Sequence, residues 1–210
     1  MRIDLPKIYP ITDARLSGLS HAEQVKRLAA GGATFIQLRE KRLPPREFYR
    51  EAEEALRVAR ELGVRLIVND RADIALALGA DGVHLGQDDL PPAAARELLG
   101  ARAVIGFSTH NEEQAREAVR LPVDYLAIGP VFQTPSKENP DPVVGLEGLR
   151  RVRRLVGQIP LVAIGGISPE NAPEVLAAGA DSIAVISLLL AGDPEGIERR
   201  TREISARLRP

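Results

Sequence analysis

The chain of 210 residues is 44% hydrophobic and 27% charged, which suffices for one globular core and leads us to expect a single domain over 1–210. Its 28 basic and 29 acidic residues leave a net charge of −1, so no chain-wide positive field points to nucleic acid or an anionic membrane, and any anion site must be local. The absence of cysteine excludes a disulfide framework, a thiolate nucleophile and a thiolate zinc cage; MRIDLPKIYPITD lacks the apolar core of a signal peptide and no apolar run nears the ~18 residues of a membrane span, so a cytoplasmic setting is expected.

In chain order, a first strand is expected over IYPIT (8–12), and a capping box of Ser20 and Glu23 opens a helix. GGATFIQL (31–38) brings a second strand, LIV (66–68) a third, LGADGVHL (78–85) a fourth and AVIGF (103–107) a fifth. LPVDYLAI (121–128), LVAI (161–164) and AGADSIAV (178–185) complete a set of eight, with Ser168 and Pro169 as N-cap and first-turn proline of a late helix. Four of these segments repeat one pattern, a helix tail and tight turn leading into a short apolar strand. Alternating strands and helices imply a parallel sheet, and eight units in this length fit a compact (β/α)₈ TIM barrel of class α/β. An open doubly wound sheet is the other arrangement such alternation permits.

In a barrel of this kind, chemistry gathers where strands lead into helices. The second strand ends in Gln37, Arg39 and Lys41, alternate positions that would share a face. The third ends in Asn69 and Asp70, the fourth in HLGQDD with Gln87, Asp88 and Asp89, the fifth in Ser108, Thr109 and His110. The sixth runs into GPVFQTPSKENPDPVVG (129–145), a long connection with four prolines and a central Lys137. After the seventh, Gly165 and Gly166 offer close backbone approach to an anion or simply a tight turn; the eighth ends in VIS, up to Ser187. Loops seven and eight are the recurrent phosphate site of this fold.

Opposite them, Arg39, Lys41 and Lys137 bring positive charge while Asp70 and Asp89 bring hard carboxylate oxygens. Mg²⁺ suits one or two carboxylates plus phosphate oxygens and water, so the combination suggests a metal diphosphate. Lysine is scarce, at four of the 28 basic residues, yet two of the four fall at expected strand tips. Taken singly, Arg39 and Lys41 could be surface ion pairs worth ~0–1 kcal/mol, and Asp70, Asp88 and Asp89 could be helix caps.

QLREK, VNDRADIALALGADGVHLGQDD, IGFSTH, DYLAIGPVFQTPSK, VGLEGL, VAIGGISPENAPEVLAAGAD and AVIS resemble, in this order and at compatible spacings, the thiamine-phosphate synthase family, from about Ile8 to Leu190. The resemblance implies a transferase that joins 4-amino-2-methyl-5-hydroxymethylpyrimidine diphosphate to 4-methyl-5-(2-phosphoethyl)thiazole, releasing diphosphate and forming thiamine monophosphate. It further implies that Gln37, Arg39, Lys41, Asn69 and Lys137 hold the diphosphate, with Mg²⁺ on Asp70 and Asp89, and that Ser108 touches the aminopyrimidine. Thr134, Ser136, Gly166, Ile186 and Ser187 would line the thiazole phosphate site, and Arg39, Lys41, Ser108 and Lys137 would carry the catalytic work. No general base is needed, because the attacking thiazole nitrogen has a free lone pair; His84 is expected as a hydrogen-bonded interior residue, and His110 as a loop group or a minor substrate contact.

Two positions depart from the family's usual pattern: Ser136, where threonine is common, keeps a hydroxyl, and Gln133 replaces a frequent proline. A related branch of thiazole tautomerases, which are isomerases, tends to lose the acidic pair and to place histidine where this chain has Pro130. A non-catalytic barrel sensing thiamine intermediates is a third possibility, which predicts binding without turnover. The sequence leaves the oligomeric state open.

Overall fold

Short apolar runs and longer amphipathic stretches each take the form that their periodicity favours. In the computed structural model, which describes residues 3–134 and 141–208, the chain begins with β1 (Ile8–Pro10), α1 (Ala14–Ser17), α2 (His21–Ala30), β2 (Phe35–Leu38), α3 (Pro45–Glu61), β3 (Arg65–Asn69) and α4 (Ala72–Leu78). It continues through β4 (Gly82–Leu85), α5 (Pro92–Leu99), β5 (Val104–Thr109), α6 (Glu112–Ala118), β6 (Tyr125–Ile128) and α7 (Gly145–Val156). Last come β7 (Leu161–Ile164), α8 (Ala172–Ala177), β8 (Ser182–Val185), α9 (Ser187–Leu190) and α10 (Gly196–Arg207). In α3, Phe48, Ala52, Ala55, Leu56 and Ala59 recur at helical spacing and are buried, while Arg50, Glu53, Glu54 and Arg57 face solvent.

All eight strands pair in parallel, in the order β1-β8-β7-β6-β5-β4-β3-β2. The two ends of that order meet at a parallel bridge between Ile11 and Gln37, where the Thr12 N–H donates to the Gln37 carbonyl at 2.9 Å. The sheet therefore closes into a barrel, and the open doubly wound alternative is excluded. Side chains alternate across it: Ile36 and Leu38 join the apolar layer under the helices, whereas Tyr9, Phe35, Ile67, Tyr125 and Val162 fill the barrel interior. Each fully buried leucine, isoleucine or phenylalanine contributes about 1.5–3 kcal/mol, so these two layers supply the main driving force.

The repeat seen in the sequence has a structural purpose. Asp81, Asp124 and Asp181 stand just before β4, β6 and β8 and accept the N–H of Leu66, Ile105 and Leu161 on the preceding strands at 2.8, 2.7 and 2.8 Å. Arg96 on α5 and Arg153 on α7 pair with Asp124 and Asp181 at 2.7 and 2.8 Å. Each aspartate thus ties two strands and, in two cases, a helix at the entry end of the barrel.

Three local expectations change. The strand with Gln37 stops at Leu38, so Arg39 and Lys41 lie in the loop beyond it and do not continue the strand's alternation. Ser20 accepts from the Glu23 N–H, but the Glu23 carboxylate turns to Arg27 at 2.9 Å, an i,i+4 pair. The helix expected at Ser168 begins only at Ala172: the Ser168 N–H donates to Asn171 Oδ1 at 2.8 Å while Ser168 Oγ accepts from the Asn171 N–H at 3.4 Å, and this reciprocal pair closes a turn of its own before the helix starts.

Candidate active site

At the carboxyl ends of the strands lies a cavity of about 600 Å³. Gln37 reaches it from β2, Asn69 from β3 and Ser108 from β5. Arg39, Lys41, Asp70 and Asp89 reach it from the loops after β2, β3 and β4; Thr134 and Gly166 come from those after β6 and β7, and Ile186 and Ser187 follow β8. The expected site residues therefore converge, apart from Ser136 and Lys137, which fall outside the described residues.

The cations are anchored. Arg39 pairs with Asp13 at 3.1 Å, and Lys41 pairs with Asp70. Between them, the Glu40 carboxylate accepts the N–H groups of Lys41, Arg42 and Leu43 at 2.8, 2.7 and 3.3 Å and meets His21 Nε2 at 3.3 Å. Burial opposes ionisation of Glu40, but the Arg42 N–H, His21 and the Leu43 N–H outweigh it and hold the carboxyl below its ordinary range. His21, itself fully buried, bonds Thr12 Oγ1 at 2.8 Å, and Thr12 Oγ1 accepts the Arg39 N–H at 3.1 Å. The loop that carries Arg39 and Lys41 is thus built around one internal carboxylate. Neither Asp13 nor Glu40 announces this role in the sequence, since Asp13 lies 26 positions before Arg39.

The acidic pair is not a pair of helix caps. The residue preceding α4 is Arg71 and that preceding α5 is Pro91, and neither helix has a side-chain cap. Asp70 adopts φ 63°, a left-handed conformation that aspartate tolerates better than most residues and that turns its carboxylate toward Lys41. Asp89 Oδ2 accepts the Gly86 N–H at 2.7 Å and closes the HLGQDD turn. Burial pushes the Asp70 carboxyl above its ordinary range, neighbouring Asp89 pushes it the same way, and Lys41 opposes both. Two neighbouring carboxylates, one of them losing solvent, are a donor set that would hold a divalent cation. Among the described residues no group of three or more histidine, cysteine or acidic side chains could complete a ligand shell, so such an ion would need substrate oxygens and water.

Asn69 adds a second demand for a ligand, because its Nδ2 is buried without a hydrogen-bond partner. An orphaned amide costs about 1–3 kcal/mol, which a bound acceptor would recover. Across the cavity, Gly165 and Gly166 have φ 103° and 63°. What comes close to them is protein: a Cβ on Gly165 would lie 2.6 Å from Pro130 Cα, and one on Gly166 would strike Phe132 and the Gln133 carbonyl. Their smallness seats the loop after β6, which bears Thr134, beside the end of β7. His84 is buried, as expected, and bonds Tyr125 and Ser108. His110 lines the cavity, and its Nδ1 donates to the Gly129 carbonyl at 2.8 Å. Tyr9, which pattern alone presents as an ordinary strand aromatic, lines the cavity floor, and Tyr125 lies buried behind it, its hydroxyl bonded to Tyr9 and His84.

A cavity at the carboxyl rim, with anchored cations facing an acidic pair, defines a (β/α)₈-barrel enzyme for charged small-molecule substrates. The model of the family described as thiamine monophosphate synthase matches residues 8–189. The chain is 49% identical over 199 residues to a thiamine-phosphate synthase of Syntrophomonas wolfei, covering 94% of this chain and 95% of that protein. It is 50% identical over 188 residues to one of Chloroflexus aurantiacus, covering 89% and 86%. Among solved structures, a thiamine phosphate pyrophosphorylase from Pyrococcus furiosus superposes with a TM-score of 0.84 at 42% identity, covering 97% of both chains. The chain belongs to the thiamine monophosphate synthase family, whose members of that name are transferases.

Proposed function

We propose that the protein makes thiamine monophosphate, joining the aminopyrimidine diphosphate to the thiazole phosphate with loss of diphosphate. The observation that carries this reading is the convergence on one rim of Arg39, Lys41, the Asp70 and Asp89 pair and the unpartnered Asn69 amide. Breaking the bond between the pyrimidine methylene carbon and the diphosphate oxygen sends the electron pair to the diphosphate and leaves a cation that the aminopyrimidine delocalises. Arg39 and Lys41, held in advance by Asp13 and Asp70, would then act where negative charge develops, which is usually the largest catalytic contribution. Asn69 would donate its free N–H to a diphosphate oxygen, and Lys137 would add a further cation. Mg²⁺ held by Asp70 and Asp89 would supply additional charge neutralisation for the diphosphate.

The thiazole nitrogen attacks with its lone pair, so positioning matters more than proton transfer. Thr134, Ser136, Ile186 and Ser187 would seat the thiazole phosphate, with Gly166 serving that site by making room for the loop that bears Thr134, consistent with the usual phosphate site near strands seven and eight. Among the described residues no helix is long and apolar enough to cross a membrane. Substrates this highly charged do not cross bilayers unaided, which supports a cytoplasmic setting. Incubation with both substrates and Mg²⁺ should yield thiamine monophosphate, and turnover should stop on chelation. Binding without product would favour a sensor, and isomerisation of a thiazole precursor alone would favour a tautomerase.

A further inference from the structure

Beneath the cavity, five side chains form an unbroken run of hydrogen bonds. Gln37 Nε2 donates to the Tyr9 hydroxyl at 3.1 Å; the Tyr9 and Tyr125 hydroxyls are 2.8 Å apart; Tyr125 meets His84 Nδ1 at 2.9 Å; and His84 Nε2 meets Ser108 Oγ at 2.9 Å. Both ends, Gln37 and Ser108, line the cavity. The fold makes specific room for the middle of the run. His84, Gly106 and Tyr125 sit in register on β4, β5 and β6, and a Cβ on Gly106 would fall on the Tyr125 ring and hydroxyl and on His84 Nδ1. The missing side chain lets two residues on non-adjacent strands bond across the strand between them.

Such a chain has a direction, because each hydroxyl owns one proton. Tyr9 accepts from Gln37, so its own proton goes to Tyr125; Tyr125 then gives its proton to His84 Nδ1. An imidazole that accepts at Nδ1 carries its hydrogen on Nε2 and donates it to Ser108. Ser108 keeps its hydroxyl proton for the cavity, and Gln37 keeps its carbonyl oxygen. Burial holds His84 down at about 4 and raises both phenols, so all three groups stay neutral and transmit polarity without carrying charge.

We propose that Tyr9, Tyr125 and His84 are positioning residues that fix Ser108 as a donor and Gln37 as an acceptor, so that the cavity floor selects a heteroaromatic ring bearing an amine beside a ring nitrogen. The ring nitrogen accepts from Ser108 and the amine donates to Gln37. The choice of ring rests on the reaction proposed above, whereas the direction of the chain is a property of the protein alone.

The test begins with the unliganded full-length protein labelled with ¹⁵N-histidine, using long-range ¹H–¹⁵N spectra near neutral pH, with the His84→Gln spectrum identifying the signals. His84 should be protonated on Nε2 and bare on Nδ1; the opposite tautomer would overturn the proposal, whether or not the protein makes thiamine monophosphate. Tyr125→Phe should then shift the His84 tautomer balance and lower kcat/KM for the aminopyrimidine diphosphate by about tenfold, the effect of one hydrogen bond. A pyrimidine diphosphate lacking the amine should lose less, since the site no longer distinguishes the two as sharply. Tyr9→Phe, which cuts the chain nearer Gln37, should narrow the same preference. A preference unchanged in both variants would also overturn it.

Discussion

Arg39 and Lys41 differ in what their replacement removes. Arg39→Lys keeps the charge but loses the planar fork that can hold Asp13 and a phosphate oxygen together, so substrate should still bind while the chemical step slows. Lys41→Ala removes the partner of Asp70 as well as a cation, and should weaken both binding and turnover. Single-turnover rates at saturating substrate should fall by about 2–4 kcal/mol of barrier for each lost donor, and unchanged rates in both would return the pair to a surface role. His84 gives a prediction in stability. The unfolded chain titrates it near 6.5, whereas in the fold burial holds it at about 4. Between those values the unfolded state binds a proton that the folded state refuses, so folded stability drops as pH falls through that window, by on the order of 3 kcal/mol at its lower end. Urea unfolding at about pH 7 and about pH 4.5 should show a smaller loss for His84→Gln than for the unaltered chain. Equal losses would mean that the imidazole does not resist protonation.

The strand-entry aspartates belong to the architecture and lie at the end of the barrel away from the cavity. Asp124→Ala would strip an acceptor from the Ile105 N–H and a partner from Arg96, and Asp181→Ala would do the same to Leu161 and Arg153. Because these side chains are partly solvated, each loss should cost about 1–2 kcal/mol of stability, with kcat/KM nearly unchanged at a temperature where the variants stay folded. A large catalytic defect at full stability would show that the two ends of the barrel are coupled. The glycines after β7 should behave differently. Gly166→Val would press on Phe132 and Gln133 and force a positive φ on a branched residue, so it should disturb the whole loop after β6 and weaken both substrates. Selective loss of thiazole phosphate binding alone would mean that Gly166 meets the ligand directly.

Closure joins the first strand to the last and to the second, so a ligand bridging several loops ties together distant parts of the chain. With Mg²⁺ present, the pyrimidine diphosphate at about 100 times its Kd should stabilise the fold by about 2.7 kcal/mol, read as a rise in Tm. Asp70→Asn and Asp89→Asn, which keep the left-handed tolerance and an acceptor for the Gly86 N–H, should fold with little change in Tm yet lose most of that ligand-dependent rise. A full rise in either variant, or an undiminished rise in chelator, would remove the metal from the site.

Strand and helix positions were legible because period and punctuation are local: LVAI forms β7 over Leu161–Ile164 as read, and the repeated turn before a short apolar run marks where strands begin. The convergence of Gln37, Asn69, Ser108 and the acidic pair was legible too, since a parallel βα alternation puts every strand end on one rim. Pairings across the barrel were not. That Arg39 would find Asp13, that Glu40 would turn inward to cap its own loop, and that Tyr9 would meet Tyr125 from 116 positions away depend on closure, register and side-chain reach. Gly106 shows the division most sharply. In the sequence it is one small residue in a strand; in the barrel it is the gap through which His84 and Tyr125 touch, because only the packed neighbours decide what an absent side chain makes room for.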